Sequence, residues 1–196
     1  MRPPSISRCI RIGRPTSCRP IGNSLPVQRG DVANFSEILR AAVSLPLRLE
    51  KTLFAAPVTV ATSTTVVTFA DRPSIQDWLR LHGEIFLHGR DVWTESRFRR
   101  ELLERDWFLP QRMWWAISPA SDTAIGAITL EVAGDVGQIH WLMVDPAARR
   151  RGVAAALLAT LENAAWQCGA SRITAETLSS WEPAVAFYRR QGYEAA

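Results

Sequence analysis

The feature that most constrains the fold is the segment Val144–Ala156, which reads VDPAARRRGVAAA. It joins Gln138–Val144 (QIHWLMV), a stretch with strand character, to a long stretch of helical periodicity that begins at Val153. A strand that runs through a short turn into a long helix predicts an α/β domain, because the helix must cross the sheet before the chain can enter the next strand.

The same segment predicts an anion site at the start of the helix. The first turn of a helix leaves several backbone N–H groups unpaired and carries a partial positive charge. Gly152 has no side chain to obstruct a close approach, and Arg149, Arg150 and Arg151 add donors for a phosphate group. The alternative is that Gly152 only forms a turn and the arginines only face solvent.

Periodicity and turn residues divide residues 64–191 into alternating elements. The predicted strands are Thr64–Ala70, Met113–Ser118, Ala124–Ala133, Gln138–Val144 and Arg172–Leu178, and the predicted helices begin at Ile75, Thr94, Val153 and Trp181. The second of these helices is expected to reach Phe108. The order β-α-α-β-β-β-α-β-α predicts a mixed sheet with helices on both faces.

The first 60 residues are expected to form a disordered or loosely structured extension, followed by one domain over residues 61–196. Residues 1–30 hold six arginines, five prolines and no acid, which predicts disorder, or an organelle transit peptide as an alternative. Residues 34–50 could form a short amphipathic helix that Pro46 interrupts. The uncharged stretch Thr52–Ala70 contains six threonines, so we expect a linker and a strand there and no membrane helix.

Composition argues against several classes of site. The three cysteines form no Cys-x-x-Cys pair and the three histidines lack the spacing of metal ligands, so neither a disulfide framework nor a metal site is expected. The formal net charge of +4 favours anionic ligands but does not by itself indicate nucleic acid. We therefore expect no metal, nucleic-acid or membrane partner, and a cytoplasmic location unless residues 1–30 are a transit peptide.

Two motifs resemble signatures of the GNAT superfamily of N-acetyltransferases. Arg149, Gly152 and Ala154 match its acetyl-CoA motif, which reads Arg or Gln, any two residues, Gly, any residue, and Gly or Ala. The segment Ala184–Tyr193 (AVAFYRRQGY) resembles the second signature, a helix with an Ala-x-x-aromatic-Tyr run that ends in Gly-aromatic. The two motifs stand in the family's order and spacing, and the resemblance covers the chain from about Thr64 to Ala196.

The resemblance implies a GNAT-type acyl-CoA N-acyltransferase fold and a place for acetyl-CoA as co-substrate. The cofactor would lie in a V-shaped opening between the strand that ends at Val144 and the strand Arg172–Leu178. The strand backbone would pair with the pantetheine arm, the helix N-terminus would hold the pyrophosphate, and the N–H of Val144 would polarise the thioester carbonyl. The implied cofactor-binding residues are Leu142, Met143, Val144, Arg149, Arg150, Arg151, Gly152, Val153, Ala154 and Ala155.

Three residues are candidates for proton transfer. Tyr188 is the candidate general acid, because the family places a tyrosine here near the CoA sulfur. Glu176 lies twelve positions before it, the spacing of the catalytic pair in ribosomal-protein-alanine N-acetyltransferases. His140 is the second candidate base, and strand alternation predicts that it shares a face with Leu142 and Val144. A water-relayed path remains the third possibility.

The sequence departs from the family pattern in two places. Many members have an asparagine three positions before the helix alanine, and here that position is Trp181. The contact that this asparagine would make to the pantetheine arm is therefore not expected. Family domains usually continue with one or two strands beyond the position of Ala196, so we expect a sheet that lacks its final strands and has an open edge. A partner chain in a homodimer could supply the strand, and a non-catalytic acyl-CoA sensor or truncated module is the alternative function.

The expected function is acetyl transfer from acetyl-CoA to a primary amine of a small molecule or of a peptide or protein N-terminus. The acceptor wall is expected around the first two helices, where aromatic and acidic side chains suit a cationic amine. The candidate residues are Trp78, His82, Glu84, Phe86, His88, Asp91, Trp93 and Glu95. Among them, Trp78 is expected to be a core residue.

Overall fold

Seven strands form one mixed sheet within the residues that the computed structural model describes, which are 45–57, 64–86 and 92–196. The strands are β1 Pro46–Thr52, β2 Thr65–Thr68, β3 Met113–Ile117, β4 Ala124–Ala133, β5 Val136–Val144, β6 Arg172–Leu178 and β7 Glu194–Ala195. Their order across the sheet is β2-β3-β4-β5-β6-β1-β7. The β5–β6 pair is parallel and the other neighbouring pairs are antiparallel.

Helices cover both faces of the sheet, as the sequence predicts. They are α1 Ile75–Phe86, α2 Glu95–Phe98, α3 Val153–Gln167 and α4 Glu182–Arg190. Trp78 and Leu81 of α1 and Phe98 of α2 are fully buried with Trp115 of β3 on one face. On the opposite face Leu157 and other apolar residues of α3 are buried against β4, β5 and β6. In the described residues no helix has the length and apolar character of a membrane span.

Strand β1 corrects two expectations. The helix expected over residues 34–50 is wrong for Pro46–Glu50, which pair with β6 from Pro46↔Leu178 onward, while residues 34–44 lie outside the described part of the chain. The physical reason is a period of two: Leu47 and Leu49 alternate with Arg48 and Glu50, and Leu49 is fully buried. The sheet therefore begins before the boundary expected near residue 60.

The far edge of the sheet also differs from the expectation of missing final strands. Strand β6 is not an open edge, because β1 covers its whole length. The two-residue strand β7 then pairs with β1, through Leu49↔Ala195 and Glu50↔Glu194. Strand β1, which precedes α1 in the chain, therefore lies beside β6, where the predicted order of elements had no strand.

The second helix is shorter than predicted. Thr94 is its N-cap, as expected, and its Oγ1 accepts a hydrogen bond from the N–H of Arg97 at 3.2 Å. After Phe98 the chain continues as a π-helical turn that ends at Leu103. The prediction of helix up to Phe108 is wrong because tertiary packing prevails: the Phe108 ring is buried in a T-shaped contact with Phe69, with centroids 6.1 Å apart.

A buried ion pair holds β1 on α3. Lys51, the single lysine of the chain, places Nζ 2.9 and 2.8 Å from the two carboxylate oxygens of Glu162. The hydroxyl of Tyr193 donates to the same carboxylate at 3.0 Å. The Glu162 side chain is only 7% exposed, so its charge depends on these two partners instead of water.

We expect Lys51→Met to lower the free energy of unfolding by about 3 kcal/mol, because it leaves a buried carboxylate without its cation. The measurement is urea unfolding followed by tryptophan fluorescence. The matched control is Arg99→Met, which breaks the exposed pair with Glu95 and should change stability by less than about 1 kcal/mol. Equal losses in the two variants would contradict this role of Lys51.

Candidate active site

A β-bulge in β5 opens a cleft between β5 and β6. The parallel pairing of the two strands runs from Val136↔Arg172 to Ile139↔Ala175 and stops there. Just beyond, the β4–β5 ladder shifts register, so that one residue of β4 faces Trp141 and Leu142 together. Trp141 has a φ of 48°, a left-handed conformation that bends the strand. This opening lies where the family resemblance implied that the cofactor binds.

The cleft contains a cavity of about 430 Å³. Residues from β5, β6, α1 and α4 line it, among them Phe86, His140, Leu142, Glu176, Trp181 and Tyr188. The three residues predicted for proton transfer therefore line the same cavity, although they come from three different elements.

Tyr188 reaches the cavity from α4. Val185 and Tyr188 are the buried residues of this short helix, one turn apart, so that they face the sheet. The side chain of Tyr188 lies against the rings of Phe187 and Tyr193, at centroid distances of 5.5 and 5.3 Å. Burial raises the pKa of the Tyr188 phenol well above its usual value, because the phenolate would lose its hydration. The phenol therefore carries its proton at neutral pH.

His140 lies just before the bulge, and its predicted face is wrong. Leu142 and Val144 pack against the cluster on the α3 side, whereas Met143 belongs to the cluster under α1 and α2. His140 is on that second side, where its ring stacks on Trp107 with centroids 4.8 Å apart. The extra residue at the bulge reverses the alternation on which the prediction relied.

Glu176 is a free carboxylate on the rim of the cavity. Its neighbour Ala175 is buried in the α3-side core, so Glu176 points to the opposite face of β6. With the described residues it forms neither a side-chain hydrogen bond nor an ion pair, and it is solvent-exposed. Arg48 is its register partner on β1. A carboxylate that has no partner among the residues the structure describes is available to a cationic ligand.

The turn between β5 and α3 leaves helix amides available. Helix α3 begins at Val153, and the N–H of Ala156 donates to the carbonyl of Gly152 at 2.9 Å. The amides of Val153, Ala154 and Ala155 come before this first bond of the helix. Gly152 has a φ of 82°, and a Cβ there would meet no atom within 4 Å. Glycine is thus favoured here by its backbone conformation, beside open space that an anion could occupy.

The arginines of this turn are exposed, and three contacts hold the turn itself in place. Arg149 donates from Nε to the carbonyl of Val144 at 3.3 Å, and Arg150 has a left-handed φ of 64°. Asp145 accepts from the N–H of Ala147 at 2.9 Å and forms an ion pair with Arg80 of α1 at 3.3 Å. Sequence reasoning missed the role of Arg80, which lies 65 residues before its partner.

The predicted cofactor residues occupy two adjoining places. Leu142 lines the cavity, and Met143 and Val144 continue the part of β5 that lies beyond the end of its pairing with β6. The segment 149–155 follows at the start of α3. Met143 is 1% exposed and belongs to the core cluster under α1 and α2, so its side chain is not available to a ligand.

The region where the sequence analysis expected the acceptor wall is more aromatic and less acidic than predicted. Trp78 is fully buried, in keeping with a core residue. Glu84 pairs with Arg80 at 3.0 Å and Glu95 with Arg99 at 2.7 Å, so both acids already have an arginine partner. His88 and Asp91 lie outside the described residues. Phe86 and Trp181, the residue at the position of the family's asparagine, stack with centroids 5.4 Å apart and line the cavity.

Sequence reasoning also missed Glu131, whose carboxylate lies 2.8 Å from Nε2 of His140. The two-residue turn at Gly134 and Asp135 was the available signal, because it sets the hairpin register and brings β4 residues opposite β5 residues. Among the described residues, no group of three or more His, Cys, Asp or Glu side chains could hold a metal ion.

Comparisons with known proteins agree with this geometry. Residues 75–193 match the model of the acetyltransferase (GNAT) family. The chain is 31% identical over 107 residues to a mycothiol acetyltransferase of Mycobacterium sp. (strain MCS), a match that covers 53% of this chain and 35% of the relative. The chain thus spans about a third of the length of that curated relative.

Solved structures share the fold. A GCN5-related N-acetyltransferase from Sphaerobacter thermophilus superposes with a TM-score of 0.62 at 21% identity, over 83% of this chain and 53% of that one. The ribosomal-protein-S18-alanine N-acetyltransferase from Escherichia coli gives a TM-score of 0.54 at 20% identity, over 68% and 79% of the two chains. Because the family model covers more than half of the chain and the mixed sheet agrees with it, the chain belongs to the acetyltransferase (GNAT) family.

Proposed function

We propose that the protein transfers the acetyl group of acetyl-CoA to a primary amine by direct attack. The observation that carries this proposal is the cavity between β5 and β6, which is lined by a protonated phenol, an imidazole and a carboxylate that has no partner among the described residues. The phenol belongs to Tyr188, the imidazole to His140 and the carboxylate to Glu176. The open turn before α3 lies at the end of β5 and suits the pyrophosphate of the cofactor.

The proposed reaction needs three proton transfers, because an ammonium acceptor loses two protons in forming the amide and the leaving thiolate gains one. An ammonium acceptor first gives a proton to a base, because only the neutral amine has the lone pair that attacks the thioester carbon. The C–N bond forms, and the C–S bond then breaks with its electron pair on sulfur. Tyr188 donates its phenolic proton to this thiolate, and the nitrogen of the adduct gives up its second proton, which restores the phenol. The products are the amide, CoA in its thiol form and the protonated base. His140 and Glu176 are the two side chains at the cavity that could accept the first proton.

The proposed cofactor site uses backbone and arginine groups. Acetyl-CoA would supply the activated acetyl group. The edge of β5 from Leu142 to Val144 would bind the pantetheine arm, because this edge lies beyond the last pair with β6. The amides of Val153, Ala154 and Ala155, together with Arg149, Arg150 and Arg151, would hold the pyrophosphate.

We propose an acceptor that carries its amine on an apolar or aromatic body. Phe86, Trp141 and Trp181 supply flat apolar surface at the cavity, and Glu176 supplies the negative charge for an ammonium group. The mycobacterial relative is named for mycothiol and the Escherichia coli structure for the alanine of a ribosomal protein. Small amines and peptide N-termini are therefore both included in the acceptor screen below.

We expect Gly152→Ala to raise the Kd of acetyl-CoA about tenfold, because the turn must strain to accept a Cβ at positive φ and loses its anion geometry. Isothermal titration measures this binding. Gly169→Ala is the matched control: it has a φ of 83° and open space at the other end of α3, so it costs similar stability. Similar affinity losses in both variants would argue against an anion site at Gly152.

We expect Tyr188→Phe to lower kcat about 100-fold while the Kd of acetyl-CoA changes little, because the ring remains and the proton donor is lost. The assay is CoA release with amino acids, polyamines, aminoglycosides and short peptides. Tyr193→Phe is the control, since Tyr193 is buried next to Tyr188 but its hydroxyl binds Glu162. Full turnover in Tyr188→Phe would remove the general-acid role.

The state of the phenol has its own test. Burial raises the pKa of Tyr188 and, together with the nearby Glu162, that of Tyr193, and these are the chain's two tyrosines. An unfolded tyrosine ionises near pH 10, so the folded state keeps protons that the unfolded state loses, and stability falls as the pH rises above about 10. We expect tyrosinate absorbance at pH 10 to stay flat in the native protein but to reach about half its final value in urea. A native midpoint near pH 10 would contradict the burial of both phenols.

A further inference from the structure

We propose that Glu131 is a positioning residue that holds His140 as the base of the reaction. This inference rests on the proposed function and deepens it, since it assigns the first proton transfer to one of two candidate side chains. Nε2 of His140 and Oε2 of Glu131 are 2.8 Å apart. The side chains are 20% and 24% exposed, so the contact is partly shielded from water.

The hairpin brings this pair together. Glu131 of β4 is the register partner of Gln138 of β5, and His140 lies two residues further along the same face. Side chains in this diagonal relation lie within reach of one another when one of them is long. Thr129 is directly opposite His140 in the register, but its buried Oγ1 has no hydrogen-bond partner among the described residues. His140 binds the carboxylate of Glu131 and not the hydroxyl of Thr129.

Aromatic rings restrict the imidazole further. Trp107 stacks on the His140 ring at 4.8 Å with an interplanar angle of 14°. Trp141, the bulged residue, lies 5.3 Å away at 34°. The carboxylate of Glu131 binds one nitrogen of the imidazole and the Trp107 ring stacks on its face, so the imidazole has little freedom to rotate.

This arrangement determines which nitrogen can act. A carboxylate accepts a hydrogen bond and cannot donate one, so Nε2 of His140 carries a proton in the neutral ring. Nδ1 then holds the lone pair and is the nitrogen that could take the proton of an ammonium acceptor in the cavity that His140 lines. The ring would become a cation, and Glu131 would form an ion pair with it. Glu176 is then left to bind the ammonium group of the acceptor.

The experiment combines a double-mutant cycle with NMR of the histidine ring. We expect Glu131→Ala to lower kcat at least about tenfold, with little change in the Kd of acetyl-CoA or the KM of the acceptor. In the His140→Ala background, Glu131→Ala should cost nothing more, because it acts through the ring. Equal losses in both backgrounds, or full turnover in Glu131→Ala, would overturn the proposal.

The NMR readout does not depend on activity. The chain has three histidines, so His140→Ala assigns the ring signals of His140. We expect a slowly exchanging Nε2–H proton in the native protein that disappears in Glu131→Ala. It should persist in Glu131→Gln, a variant that keeps an oxygen acceptor and that should retain more turnover than Glu131→Ala. A His140 signal unchanged by Glu131→Ala would overturn the proposed contact.

A matched control variant and the wild type distinguish a failure of the Glu131 proposal from a failure of the proposed function. Glu101→Gln removes a surface carboxylate that pairs with Arg105 on the outside of the molecule, and it should leave turnover and the His140 signal unchanged. Additive losses in an active wild type would overturn the role of Glu131 alone. Absence of CoA release by the wild type with every amine of the panel would overturn the proposed function, and this inference with it.

Discussion

The single extra residue in β5 is the constraint on which the site depends. Up to Ile139 the strand is paired on both sides, with β4 and with β6. At Trp141 the backbone adopts a left-handed φ, which a bulky residue accepts only when its surroundings stabilise it. Trp141 packs against Trp78 and Trp93, with centroids 5.8 and 5.6 Å away, and this packing offsets the strain. Beyond the bulge β5 leaves β6, and the cleft is the result.

The bulge also places side chains proposed for cofactor binding and the proposed base His140 on different sides of β5. Leu142 and Val144 are on the side of α3, where the helix amides and exposed arginines favour a phosphate group. His140 is on the side of α1 and α2, next to Glu131 and the tryptophan rings. A regular strand would have placed His140 and Leu142 on one face. In the proposed reaction, the anionic cofactor and the cationic acceptor would therefore bind on opposite sides of one strand.

Much of the architecture could be predicted from local patterns. The hydrophobic periods located β3 to β6 and the helices α1, α3 and α4, and the motif around Gly152 indicated the anion site. Sequence reasoning was wrong where distant residues decide: Pro46–Glu50 forms a strand because β6 offers a ladder of partners, and the chain leaves helix after Leu103 because Phe108 is buried against Phe69. Local propensity is weaker than a ladder of hydrogen bonds or a buried aromatic ring.

The sequence by itself determined the family of the chain, the chemical types of the candidate residues and the turn that opens helix α3, because these depend on motifs whose members lie close together in the chain. Only the tertiary structure decided that Tyr188, Glu176 and His140 share one cavity, that Glu84 and Glu95 are paired with arginines, and that Glu131 binds His140. These contacts depend on where neighbouring strands diverge and on which side chains lie opposite each other. Strand register and a one-residue bulge determine both features. Neither the register nor the bulge produces a clear pattern in a single sequence.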